Sequence, residues 1–180
     1  RRIAYIAGDP VHQDALDRQA GYKVALKQAG VAFDPALVVQ GDYTEAAGLL
    51  AANRLLDSGQ PFTAIFAAND QMAIGAALGL YRRGVRVPDD VSLVGFDDLA
   101  PAKFAIPPLT TVRQSVYELG AEAASAMLVA RLMPSLSLPA SCSARSITGI
   151  APSSQSARVS MRIDTGRFVR SPTRSRKGTR

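Results

Sequence analysis

Phe62-Thr63-Ala64-Ile65-Phe66-Ala67-Ala68-Asn69-Asp70-Gln71-Met72-Ala73-Ile74-Gly75 changes its hydrophobic rhythm halfway along. Phe62 to Ala67 is a near-continuous apolar run, as in a strand covered on both faces. From residue 70 the apolar positions, among them Met72, Ile74, Leu78 and Tyr81, fit a helix to residue 83, with Gly84 as its stop. Ser58-Gly59-Gln60-Pro61 breaks the chain just before the strand.

The same alternation runs through the first 110 residues. Ile3 to Ala7 reads as a buried strand. Residues 13–30 read as a helix with Leu16, Ala20, Val24 and Leu26 as apolar positions and Gly30 as its end. Ala36 to Val39 is the next strand, and Thr44 is a suitable N-cap for a helix through Leu56. Val91 to Gly95 is a fourth strand. Connections this long exclude hairpins, so the strands pair in parallel with right-handed crossovers. The fold class is α/β, an open parallel sheet with helices on both faces. Farther on, Leu109 to Val112 suggests a short strand. Residues 114–132 form an amphipathic helix striped with Val116, Leu119, Ala123, Met127 and Leu128, which Pro134 ends.

The chain has 180 residues, 47% hydrophobic and 20% charged, which suits a globular domain. No apolar run reaches the ~18 residues of a membrane helix, and the opening segment lacks the pattern of a signal peptide. One cysteine, Cys142, excludes an internal disulfide; with a single histidine, His12, it argues against a Cys/His zinc site. The net charge of +6 is uneven. Residues 151–180 hold seven Arg, one Lys and one Asp, leaving 13 basic and 14 acidic residues in 1–150. The basic character belongs to a Ser/Arg-rich tail that reads as unstructured, and the remainder carries no basic stripe for nucleic acid.

In an open parallel sheet, ligands bind beyond the carboxyl ends of the strands. That rule selects Gly8 to Asp14 with the following helix that bears Arg18, Gln40 to Tyr43, Ala67 to Gln71, and Phe96 to Asp98. A carboxylate accepts two hydroxyl protons, an amide donates and accepts, Arg donates through a planar fork, and Tyr or Phe offers a flat face. Together these suit a neutral polyhydroxylated ring better than a phosphate, since no G-x-G-x-x-G follows the first strand. Each residue also has a plainer reading. Asn69 or Asp70 could cap the helix at 70, Asp97-Asp98 could be a solvated turn, Arg18 a surface charge, and Tyr43 packing at the sheet edge. The coincidence of all four loops on one edge favours a site.

Several segments carry a family resemblance. They are Arg2 to Gly8, Arg18-Gln19-Ala20-Gly21-Tyr22, Ala64 to Gly75, Gly84-Val85-Arg86-Val87-Pro88-Asp89-Asp90-Val91-Ser92-Leu93-Val94-Gly95-Phe96-Asp97-Asp98, and Pro107-Pro108-Leu109-Thr110-Thr111-Val112-Arg113-Gln114. Over about residues 1–133 the chain resembles the effector-binding part of LacI/GalR-type bacterial transcription regulators, which share their fold with periplasmic sugar-binding proteins. The resemblance implies one lobe of that two-lobed fold, with a sugar or similar metabolite held between lobes. Closure then changes how a dimer presents its DNA-binding heads to operator DNA.

Carried over by position, Arg18, Asn69 and Asp97 contact effector, Tyr43 lines the site, and Gln114 lies near the lobe crossover. Asp9 and Phe96, from the same loops, join the candidate site. Residues 1–112 are then the C-terminal lobe, 113–150 the crossover helix and a degraded remnant of the second lobe, and 151–180 the tail. The DNA-binding head and most of the other lobe are expected to be missing from this piece, which leaves the 114–132 stripe partly exposed. From 138 to 148 the chain keeps Pro139, Arg145 and Thr148 but places Ser, Cys and Ala where the family has branched apolar residues.

The resemblance therefore implies a cytoplasmic, non-enzymatic regulator with a small-molecule effector, no cofactor, no metal, no membrane contact, and a homodimeric full-length form. A periplasmic sugar receptor of the same fold is the alternative. An enzyme lacks support, because there is no nucleophile elbow, metal cluster or His-centred acid/base pair.

Overall fold

A computed structural model describes residues 2–132 and 160–162. In chain order the elements are β1 (Ile3–Ala7), α1 (Gln13–Gln28), β2 (Val38–Gln40), α2 (Glu45–Asp57), β3 (Ala64–Ala67), α3 (Asp70–Arg82), β4 (Ser92–Asp97), β5 (Thr110–Arg113), α4 (Val116–Leu132) and β6 (Ser160–Arg162). The strand order is β2-β1-β3-β4-β5-β6. The first five strands are parallel and β6 runs antiparallel to β5. Tyr5 of β1 lies in register with Val38 of β2 and Phe66 of β3.

Local chemistry sets the boundaries. The Thr44 hydroxyl accepts from the Ala47 amide at 3.1 Å and starts α2; the Asn69 side-chain oxygen accepts from the Met72 amide at 2.9 Å and starts α3. Gly30 (φ +66°) and Gly84 (φ +72°) follow α1 and α3 in the left-handed region, which glycine adopts without a steric penalty.

The topology places the crevice. From β1 the chain crosses through α1 to β2, then returns through α2 to β3 on the other side of β1. Right-handed crossovers in opposite directions put α1 on one face and α2 with α3 on the other. The strand order reverses between β1 and β3, and a crevice opens there at the carboxyl ends.

The two faces pack differently. On the α1 face the Tyr5 ring stacks on Tyr22, with centroids 4.9 Å apart, and meets Phe66 at 5.2 Å. The Tyr22 hydroxyl donates to the Ile3 carbonyl at 2.7 Å. On the other face α2 lies directly on α3 through small residues. A Cβ on Gly48 would overlap the Met72 backbone, and one on Gly75 would overlap the Glu45 carbonyl oxygen. The Gly75-Ala76-Ala77-Leu78-Gly79 run is therefore helix packing.

Several expectations shift. Pro35–Leu37 is a 3-10 turn, because the Asp34 carboxylate accepts from the Ala36 amide at 2.9 Å, so β2 starts at Val38 rather than Ala36. β3 begins at Ala64, not Phe62, and β4 runs from Ser92 to Asp97. In α1 the buried positions are Ala15, Tyr22 and Leu26, whereas Leu16, Ala20 and Val24 face outward. In α3, Leu78 and Tyr81 are exposed, and Met72, Ala73, Ala76 and Leu80 carry the packing. α4 starts at Val116, and its Val116, Leu119, Met127 and Leu128 are exposed among the described residues. Within the 151–180 stretch, Ser160–Arg162 pairs with Thr111–Arg113 at the sheet edge, and the remaining residues of that stretch lie outside the described ones. Pro134, Pro139, Cys142, Arg145, Thr148 and the rest of the 133–159 segment lie outside the described residues. Among those described, no helix is long and apolar enough to cross a membrane.

Candidate functional site

Arg18 projects from the second turn of α1 across the crevice. One guanidinium nitrogen donates to the Ala68 carbonyl at the end of β3 at 2.6 Å, and another reaches Asp14 at 3.2 Å. Its guanidinium carbon lies 4.2 Å from the centroid of the Phe96 ring at the end of β4. A planar cation on an aromatic face is attractive and stiff, so α1, β3 and β4 are tied together at one rim. The Arg18 side chain is only 11% exposed, which strengthens its contacts with Ala68 and Phe96, whereas Asp14 is 62% exposed and its pairing is screened by water.

Asp97 follows Phe96 and adopts φ +119°; Asp98 follows at φ +59°. Non-glycine residues in this region are strained, and such residues concentrate at ligand-binding loops. The Asp97 carboxylate accepts from the Gln114 side-chain amide at 2.9 Å and so ties the end of β4 to the segment after β5. Burial pushes the Asp97 carboxyl above its ordinary value; Arg18 opposes that rise and Asp70 adds to it.

Asn69 is buried and uses its amide twice. Its oxygen caps α3, and its nitrogen donates to the Tyr43 carbonyl at 3.0 Å. The plainer reading of Asn69 as a cap therefore holds, and the second bond adds a role, because it pins the loop that carries Tyr43. Tyr43 itself sits at φ +71°, with its ring over Gly8. A side chain at Gly8 would collide with the tip of that ring and push it aside, so glycine lets Tyr43 lie there. The Gln40 side-chain amide donates to the Gly8 carbonyl and closes the same corner.

Arg18, Tyr43, Asn69, Phe96, Asp97 and Gln114 thus occupy one rim, linked by the contacts above. Asp9 stands apart: its carboxylate accepts from the Val11 amide at 2.9 Å and shapes its own loop. His12 lies beside Tyr43, ring centroids 6.0 Å apart. Asp70, which the sequence offers only as a possible helix cap, does more than that. This residue is fully buried; it accepts from the Thr111 hydroxyl at 2.5 Å and the Leu99 amide at 2.8 Å, binding the segment after Asp97-Asp98 to β5. Its burial raises its carboxyl as well.

Residues 1–145 match the family profile of the periplasmic binding protein-like domain. The chain is 42% identical over 119 residues to the HTH-type transcriptional regulator AscG of Escherichia coli strain K12, covering 66% of this chain and 35% of that protein. Among solved structures, the transcriptional regulator CelR–cellobiose complex superposes with a TM-score of 0.70 at 42% identity, over 74% of this chain and 41% of that one. The lac repressor dimer bound to operator and the anti-inducer ONPF superposes with a TM-score of 0.70 at 32% identity, over 75% and 46%. The chain spans about a third of the length of the curated relatives it matches.

Proposed function

Because this chain belongs to the periplasmic binding protein-like domain family, on the branch of LacI-type regulators, we propose that it forms one wall of an effector site for a neutral polyhydroxylated small molecule. The observation that carries this reading is the position of Arg18 at the strand-order reversal, held against the Ala68 carbonyl and the ring of Phe96, the residue just before Asp97. A ring with several hydroxyls finds there a fixed donor fork, an acceptor carboxylate, an amide from Gln114 and flat aromatic carbon.

In this proposal Arg18, Asp97 and Gln114 hydrogen-bond the effector, Phe96 and Tyr43 lie along its faces, and Asn69 positions Tyr43. Residues 1–112 are one lobe, and α4 leads into a second. The effector favours one lobe arrangement of a homodimer and thereby changes its affinity for operator DNA in the cytoplasm, since a ligand shifts an equilibrium only by its differential affinity for the two states. CelR, a relative by structure, was solved with cellobiose, which supports the sugar-like class.

The test is calorimetric titration of the 180-residue chain with D-ribose, D-glucose, cellobiose and their phosphate esters. Weak binding of at least one neutral sugar, abolished by Arg18→Ala, supports the reading. Preference for the phosphate esters, or heats unaffected by Arg18→Ala, contradicts it.

A further inference from the structure

Gly95 of β4 lies opposite Thr111 of β5 in the parallel ladder. A Cβ on Gly95 would overlap the Oδ1 atom of Asp70, so the missing side chain leaves the space that this carboxylate fills. Asp70, the first residue of α3, thereby reaches across β4, and the Thr111 hydroxyl donates to that same oxygen at 2.5 Å. Asp70 is fully buried and Thr111 nearly so, which keeps the bond from water. The Thr111 hydroxyl oxygen also accepts from the Asp98 amide at 3.3 Å, and the second Asp70 oxygen accepts from the Leu99 amide at 2.8 Å. The two amides that follow Asp97 thus end on one buried pair.

Asp97 (φ +119°) and Asp98 (φ +59°) make the turn that this pair holds. Strain at two successive non-glycine residues persists only where the surroundings over-determine them. The other ties here are weaker. The β4–β5 register runs only as far as Asp97 opposite Arg113. The Asp98 carboxylate meets the Arg113 guanidinium only at 3.9 Å, with Arg113 61% exposed. Gln114 holds the side chain of Asp97 and not its backbone.

We infer that Thr111 is a positioning residue for the effector site: its hydroxyl, backed by Asp70, holds the Asp97-Asp98 turn at positive φ and so fixes where the Asp97 carboxylate stands. A hydroxyl suits this place, because it donates once to the carboxylate and still accepts from an amide. Gly95 makes the arrangement possible by giving Asp70 its path across β4. The hold on the turn stands on these contacts alone; its consequence for binding rests on the effector-site reading above.

Thr111→Val removes the hydroxyl and keeps the branched shape, whereas Thr111→Ser keeps the hydroxyl. In the full 180-residue chain, the NMR coupling between the amide and α protons of Asp97 and Asp98 reads φ directly and does not follow overall stability. Thr111→Val is expected to change both couplings, and Thr111→Ser to leave them as in the parent. Calorimetry with D-ribose, D-glucose and cellobiose then reads the site. A sugar that binds the parent should bind Thr111→Val at least about tenfold more weakly, the loss of one hydrogen bond to a charged group, and Thr111→Ser should match the parent. Unchanged couplings in Thr111→Val overturn the inference, and so do changed couplings with unchanged affinity. If the parent binds none of the three sugars, the effector reading falls, and the couplings alone decide whether Thr111 holds the turn. If Thr111→Val does not fold, Thr111→Ala measured against Thr111→Ser isolates the same oxygen.

Discussion

The guanidinium of Arg18 lies 4.2 Å from the centre of the Phe96 ring, although 78 positions separate the two residues along the chain. This contact joins α1, on one side of the reversal in strand order, to the end of β4 on the other. Arg18→Lys keeps the charge and loses both the flat stack and the fork. Its affinity for any neutral sugar that binds the parent should fall at least about tenfold, or ~1.4 kcal/mol. Calorimetry of the two proteins side by side checks this, and equal affinities would remove Arg18 from the site.

Asp97 sets binding against stability. Its carboxyl is raised by burial, so the folded chain holds that proton to a higher pH than the unfolded chain. The stabilisation is complete below the unfolded value and is lost as pH rises through the folded one. Asp97→Asn mimics the protonated form at every pH and suits the positive φ. The variant should match the parent in stability near pH 4 and gain on it towards pH 7, while binding neutral sugars more weakly. Urea melts across that range are the check. A variant that loses ground as pH rises would show that Arg18 outweighs burial.

Asp70 acts through the scaffold. Removing its carboxylate strands the buried Thr111 hydroxyl and takes a partner from the part-buried Leu99 amide. Asp70→Ala should cost about 2–4 kcal/mol and lower the melting temperature by roughly 6–12 °C. A loss within 1–2 °C would mean that water takes over both bonds.

The α2–α3 contact depends on missing side chains. Gly75→Ala pushes a methyl into the Glu45 backbone and should destabilise by about 1–3 kcal/mol. Gly21→Ala in α1 meets open space and should stabilise by roughly 0.5–1 kcal/mol. Opposite signs in parallel denaturant melts are the expected result.

Much of this was legible in the chain because strands with two covered faces are apolar runs and each helix carries its own cap or glycine stop. The loops of Arg18, Tyr43, Asn69 and Phe96-Asp97 were legible as a group, since parallel topology sends every strand end to one edge. The outward face of α1 was not: Ala15, Leu16, Ala20, Tyr22, Val24 and Leu26 spread apolar character around the helix, and only the ring of Tyr5 selects Tyr22. Asp70 reads as a cap beside Asn69, because its partners Leu99 and Thr111 are 29 and 41 positions away. Tyr5 is hidden inside an apolar strand. Ser160–Arg162 carries no pattern of its own, since an edge strand needs only one neighbour's exposed backbone.

Separate loops are proposed to grip one small neutral molecule at a common rim. Nitrogen-edited NMR of the 180-residue chain, titrated with D-ribose, D-glucose and cellobiose, tests it directly. One sugar is expected to move the Arg18 side-chain signal, the Gln114 side-chain amide and the Asp97 and Asp98 backbone amides together, on a single binding curve. Shifts confined to other surfaces, or these four signals unmoved while the chain binds sugar elsewhere, would contradict it.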